Sequence, residues 1–319
     1  MTYFLLIVGF ALLIKGADYF VEGASKLAQQ FRVPPLLVGL TIVAFGTSSP
    51  EATVSIIAAL EGSSDVSLGN VIGSNIFNIT LVVGITAMIN PLSVETATIR
   101  KEIPFTLLAS VALWVLISDV TLQGLGTNLI TRSEGFILLL FFAIFLYYIF
   151  EVARNNRTEI PVDQPDATAG TSMGKNIILT LAGLAAIIFG GDLVVDNATE
   201  IALSVGMSET LVGLTIVAVG TSLPELITSI TAALKKQSEI ALGNIVGSNI
   251  FNILFVLGAS ATIAPLAVND KIFVDIVAMI ILTLLLLIFS RSKFKISKTE
   301  GTILAAVYIA YVVYIILRN

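Results

Sequence analysis

Two glutamates, Glu51 and Glu225, stand where acids are rare, each directly after an apolar run of the kind that enters a bilayer. The first closes "VGLTIVAFGTSSPE", residues 38–51, and the second closes "VGLTIVAVGTSLPE", residues 212–225. In both, Gly-Thr-Ser-x-Pro interrupts the run just before the acid. Gly46 tolerates backbone angles that other residues resist. Pro50 suits the first turn of a new helix, and Thr47, Ser48 or Ser49 offers it a cap. A charge at mid-bilayer costs roughly 2.5–3.5 kcal/mol on insertion scales, so the pair costs roughly 5–7 before compensation. Neither break has a basic residue beside it, which leaves a bound cation as the simplest compensation.

A second polar motif accompanies each break. Gly73-Ser74-Asn75-Ile76-Phe77-Asn78 recurs as Gly247-Ser248-Asn249-Ile250-Phe251-Asn252. Ser74 and Asn78 are four apart and share a helical face, as do Ser248 and Asn252; Asn75 and Asn249 lie about 100° round. Together the motifs supply two carboxylates, the amides of Asn78 and Asn252, and the hydroxyls of Thr47, Ser48, Ser74, Thr221, Ser222 and Ser248. These are oxygen donors, the ligand set of hard cations such as Ca²⁺. One Ca²⁺, two Na⁺ or two protons would neutralise the pair of acids. Competing readings attach to the same residues. Ser or Thr before Pro-Glu is also a stabilising helix start, and Ser74, Ser248, Asn75 and Asn249 suit close helix packing. Gly69, Gly73 and their partners read as packing glycines.

The rest of the composition narrows the chemistry. The chain has no cysteine and no histidine, which excludes thiol catalysis, disulfides, Ser-His triads and the usual zinc and haem sites. Charged residues make up 12% and hydrophobic residues 56% of the 319, against about 25% charged in soluble domains, and the mean hydropathy is +0.98. An intramembrane aspartyl enzyme would need an acid pair or nucleophile without a repeat equivalent, and none is present, so no enzyme is expected. Asp18 and Glu22, four apart, read as a wet helix face, with Lys15 as a local partner of Asp18 or a snorkelling residue.

These residues must be positioned by an all-α polytopic membrane fold. Apolar runs predict ten spans, near 3–28, 35–60, 66–90, 103–118, 134–153, 174–200, 209–234, 240–263, 272–290 and 300–317. A short polar linker, 154–172, divides a first five-helix repeat, 1–153, from a second, 173–319. The halves are copies: 38–92 laid on 212–266 gives 34 identities in 55 positions without a gap. Five spans per copy is an odd number, so the second copy should lie inverted. Placing both termini outside and the linker in the cytoplasm puts most Lys and Arg inside, as the positive-inside rule requires. Equivalent loops change sign accordingly: Glu61-Gly62 becomes Lys235-Lys236, and Lys26 becomes Glu200. Inverted repeats place sites near the midplane, at broken helices from both copies.

At these motifs the chain resembles the cation/Ca²⁺ exchanger superfamily, specifically prokaryotic Na⁺/Ca²⁺ exchangers. Paired "GTSSPE" and "GTSLPE" with paired "GSNIFN" look like that family's two alpha repeats. The resemblance implies a cell-membrane antiporter that needs no cofactor and exchanges Na⁺ for Ca²⁺ by alternating access; a Ca²⁺/H⁺ exchanger is the alternative. It implies ligands on the second, third, seventh and eighth spans, with Glu51 and Glu225 central. Thr47, Ser48, Ser74 and Asn78, with Thr221, Ser222, Ser248 and Asn252, would complete the sites, Thr47 and Thr221 through backbone carbonyls. It also implies that the first and sixth spans slide as a pair against the rest. Some relatives, including K⁺-dependent ones, carry Asp where this chain has Asn252, which speaks against K⁺ coupling here. The partners expected are Ca²⁺, Na⁺ and the bilayer, with no nucleic acid, and the monomer as the working unit.

Overall fold

The structure, a computed structural model, describes residues 1–156, 172–206 and 218–318. Helix α1, Thr2–Phe31, ends where Arg32 turns left-handed at φ 53°. Pro35 then opens α2, Pro35–Val38, which continues through a π-helical turn, Gly39–Val43, into α3, Ala44–Thr47. Ser48 leaves helical geometry, and α4, Ser49–Leu60, departs at 49° from the preceding segment. The expected break is therefore present, with Pro50 in the first turn of α4.

Two local expectations fail there. Gly46 is helical, and its small size is what matters: a Cβ would lie 2.9 Å from Leu184 Cδ1. No side chain caps α4, because the Ser48 hydroxyl is engaged across the molecule, as described below.

Gly62, at φ 76°, turns the chain into α5, Ser64–Phe77, a π-helical turn at Asn78–Val82, and α6, Val83–Ile89. Strand β1, Leu92–Ser93, and a π-helical stretch, Thr98–Glu102, precede α7, Ile103–Leu116. Then come α8, Asp119–Gln123, β2, Asn128–Ile130, and α9, Arg132–Asn156. The second half runs α10, Met173–Ser204; α11, Ala218–Gly220; α12, Leu223–Leu234; α13, Ser238–Ile250; a π-helical stretch, Phe251–Val256; and α14, Leu257–Ile263. It closes with β3, Leu266–Val268; α15, Asp270–Arg291; β4, Lys295–Ile296; and α16, Lys298–Arg318.

Seven described helices are long and apolar enough to cross a membrane, and the bent pair 35–60 makes an eighth span. Of the two other expected spans, α7 is short and lengthened by the π-helical stretch before it, while α12 is the described end of the seventh. Residues 207–217, in the seventh span, and 157–171, in the linker, lie outside the described residues. The fold is not purely helical: β1 pairs with β4 and β2 with β3 in two short antiparallel ribbons.

Glycines set how closely the helices approach, as small residues do in membranes. Helices α1 and α10 cross antiparallel: a Cβ on Gly16 would lie 2.9 Å from Gly183 O, and one on Gly9 3.0 Å from Gly190 O. The last helix of each half packs on the other half. Gly135 of α9 meets Gly258 of α14, while Gly301 of α16 meets Gly84 of α6. Both last helices start with the same capping box: Thr131 N and Oγ1 donate to Glu134 Oε2, and Ser297 N and Oγ donate to Glu300 Oε2. The resemblance of the halves thus reaches beyond the identities at 38–92.

Candidate cation site

The two helix breaks meet at the centre of the molecule, and Glu51 and Glu225 are fully buried there. Each acid is held by the other copy's break. Ser222 Oγ donates to Glu51 Oε1 at 2.9 Å, and Ser48 Oγ donates to Glu225 Oε1 at 2.7 Å. Both serines occupy the non-helical position where the chain bends. The hydroxyl freed from local capping therefore reaches across. Ser74 Oγ lies 3.0 Å from Ser222 Oγ, and Ser248 Oγ lies 3.5 Å from Glu225 Oε1.

The polar spans that flank the breaks fix them from behind. Asn70 Nδ2 donates to Glu51 O at 3.1 Å and to Ser55 Oγ at 2.8 Å. Asn244 Nδ2 makes the matching bonds to Glu225 O at 3.3 Å and Ser229 Oγ at 2.9 Å. The single Thr47 hydroxyl hydrogen is shared between Asn244 Oδ1 at 3.0 Å and Val43 O at 3.1 Å, and Thr221 Oγ1 donates to Asn70 Oδ1 at 3.4 Å. Asn70 and Asn244 were missed by sequence reasoning. The signal was there: Asn70, Ser74 and Asn78 repeat every four residues along one face of α5.

Asn78 and Asn252 each lie in a π-helical stretch, a local rewinding that recurs at functional sites. Asn78 Nδ2 donates to Asn249 Oδ1 at 3.3 Å, and Asn252 Nδ2 donates to Asn75 Oδ1 at 3.2 Å. Asn75 and Asn249 are thus neither plain packing residues nor first contacts; they orient the opposite copy's amide. With its NH₂ engaged, each of Asn78 and Asn252 presents its carbonyl oxygen.

Where the breaks meet, four buried oxygens accept no hydrogen bond: Glu51 Oε2, Glu225 Oε2, Asn78 Oδ1 and Asn252 Oδ1. They come in repeat-related pairs. Buried acceptors left without donors are costly, and no ion pair reaches either glutamate among the described residues. All ten predicted residues lie on the meeting elements. Nine of them are fully or nearly fully buried and Thr221 is partly buried; Thr47, among the nine, turns its hydroxyl to Asn244 and Val43.

Of the two sequence readings of Lys15, a local partner of Asp18 or a snorkelling residue, the structure overturns the first. Asp18 Oδ1 lies 2.6 Å from Lys235 Nζ, joining α1 to the end of α12, and Glu22 pairs with Lys26 on its own helix.

Two buried carboxylates and two amide oxygens without donors, gathered from broken or rewound apolar helices, define a polytopic membrane protein with a buried acidic centre shared by its two halves. The chain belongs to the sodium/calcium exchanger protein family, whose model matches residues 1–151 and 175–317. It is 33% identical to the sodium/calcium exchanger MaX1 of Methanosarcina acetivorans over 98% of both chains. It is 40% identical to the inner membrane protein YrbG of Escherichia coli over 82% of this chain and 79% of that one. The solved structure of the sodium-calcium exchanger NCX_Mj soaked with 10 mM Na⁺ and zero Ca²⁺ superposes with a TM-score of 0.84 at 32% identity, over 98% of each chain.

Proposed function

We propose that the protein is a secondary antiporter in which Na⁺ moving down its gradient drives Ca²⁺ across the membrane in the opposite direction. Both ions use one site, built by Glu51, Asn78, Glu225 and Asn252, with Thr47, Ser48, Ser74, Thr221, Ser222 and Ser248 completing it. The observation that carries this reading is the set of four buried oxygens without donors. Two of them belong to carboxylates, so one divalent ion or two monovalent ions balance the site. Na⁺ and Ca²⁺ have similar radii, which lets a single oxygen cage hold either. An unoccupied cage with two uncompensated charges resists the conformational change, and that resistance enforces exchange over leak.

The reciprocal bonds Ser48 to Glu225 and Ser222 to Glu51 are what a two-fold axis generates. With five spans per copy, such an axis lies in the membrane plane, and the second copy is inverted. We place both termini outside and the linker in the cytoplasm, which satisfies the charge bias. The working unit is one chain.

The test is uptake of radiolabelled Ca²⁺ into Na⁺-loaded vesicles at equal internal and external pH. Uptake that collapses when internal Na⁺ is replaced by choline supports the proposal. Uptake indifferent to Na⁺ but driven by a pH step overturns it in favour of Ca²⁺/H⁺ exchange, and flux without any counter-ion would mark a channel.

A further inference from the structure

On the linker's side of the molecule, a cleft of about 490 Å³ opens between the start of α7 and the end of α15. Its polar lining is Arg100, Arg291 and Thr96, and its apolar walls include Pro104, Leu287 and Phe294. We propose that this cleft binds the phosphate of an anionic phospholipid from the leaflet on that side.

Three observations converge. Arg291 is the last residue of α15 and Arg100 lies in the π-helical stretch that leads into α7, so both arginines stand near helix ends, where lipid phosphates lie. Among the described residues neither arginine has a carboxylate partner. Neighbouring Lys101 is turned over the Tyr148 ring, 5.5 Å from its centroid, which leaves the two arginines as the cleft's charge. Guanidinium is the side chain suited to forked, bidentate contact with phosphate.

The second observation is the turn that carries Phe294. Lys293 and Phe294 both adopt left-handed backbone, at φ 60° and 53°, an uncommon and costly conformation for bulky side chains. Pairing of β1 with β4 and a bond from Val94 N to Phe294 O at 2.9 Å hold the turn. Its effect is to present a ring that is 57% exposed beside two cations.

The third is continuity with the lipid-facing surface. Exposed Leu108 of α7, with Leu284 and Ile288 of α15, extends the apolar walls into the bilayer region. A free phosphate or nucleotide would have no use for that wall, whereas an acyl chain would lie on it. Basic pockets between membrane helices on the cytoplasmic side suit such headgroups. The proposal does not depend on which ions are exchanged, because binding is read without transport.

The experiment is native mass spectrometry of the full-length protein extracted from phosphatidylcholine vesicles containing graded phosphatidylglycerol or cardiolipin. The wild type should retain anionic lipid in preference to phosphatidylcholine. The double variant Arg100→Gln/Arg291→Gln should lose that preference by about tenfold or more, and Arg100→Lys/Arg291→Lys should fall between, since charge without the fork keeps part of the contact. The control Arg154→Gln/Lys175→Gln removes the same charge elsewhere on the same side and should retain lipid as the wild type does. Gel filtration checks that each variant remains folded. Undiminished retention by Arg100→Gln/Arg291→Gln, or an equal loss in the control, overturns the proposal. So does displacement of the lipid by inorganic phosphate, which would mark a site for a soluble anion.

Discussion

The two copies of the third-span motif carry nearly the same residues in different surroundings. In the second copy, Gly243, Asn244 and Gly247 are buried. A Cβ on Gly243 would lie 2.6 Å from Leu36 O, and one on Gly247 would lie 2.6 Å from Leu40 O. In the first copy, Gly69, Asn70 and Gly73 are partly exposed, while the counterparts of Leu36 and Leu40, at positions 210 and 214, lie outside the described residues. The difference separates what the motif dictates from what it permits. Its polar face dictates contacts with both glutamates, which are matched in the two copies. Its glycine face is sealed against Leu36 and Leu40 in the second copy and is partly exposed in the first.

A second difference runs alongside. Asp18 is neutralised by Lys235, whereas their repeat counterparts, Asp192 and Glu61, carry like charges. The contact that ties α1 to α12 on one side thus has no attractive equivalent on the other.

The largest effect expected is at the feature the copies share. Glu51→Gln or Glu225→Gln should each lower Na⁺-driven Ca²⁺ uptake about 100-fold or more, because removing one member of a buried charge set costs about 3–5 kcal/mol. Both variants should still insert and purify. Next comes the glycine face. Gly243→Ala should destabilise the protein by about 1–3 kcal/mol through overpacking, read as a fall in Tm. Gly69→Ala, at a partly exposed position, should lower Tm less. Equal effects at the two positions would dissolve the comparison. Asn75→Ala or Asn249→Ala should weaken Ca²⁺ binding about three- to tenfold, since each loses one hydrogen bond worth about 0.5–1.5 kcal/mol that orients a ligand amide. The smallest effect belongs to Lys235→Gln. A partly exposed ion pair contributes about 0–1 kcal/mol, so Tm should fall by a few degrees at most.

Much of this arrangement was legible before any coordinates. The gapless match of 38–92 to 212–266 exposed the duplication. The acid after Gly-Thr-Ser-x-Pro marked both breaks because a carboxylate and freed backbone groups have few tolerable places in a bilayer. What escaped was long-range. Ser48 and Ser222 look like local caps, and only the meeting of the breaks gives them the opposite acid as a better acceptor. Asn75 and Asn249 sit off the site face of their own helices, so their role is visible only once the partner amides stand beside them. The last helices were not aligned as repeats because Thr131 and Ser297 are offset by 166 residues, not 174, the loop around α8 having no match in the second half. Lys15 is near Asp18 in sequence, but the partner is Lys235, which lies 217 residues away.

The central claim is that both glutamates hold the same ion, and calorimetric titration of Ca²⁺ into the purified protein in choline buffer tests it most directly. The account predicts one Ca²⁺ per chain, displaced by Na⁺, with binding lost in Glu51→Gln and equally in Glu225→Gln. Two independent Ca²⁺ ions per chain, each abolished by only one of the two substitutions, would contradict it.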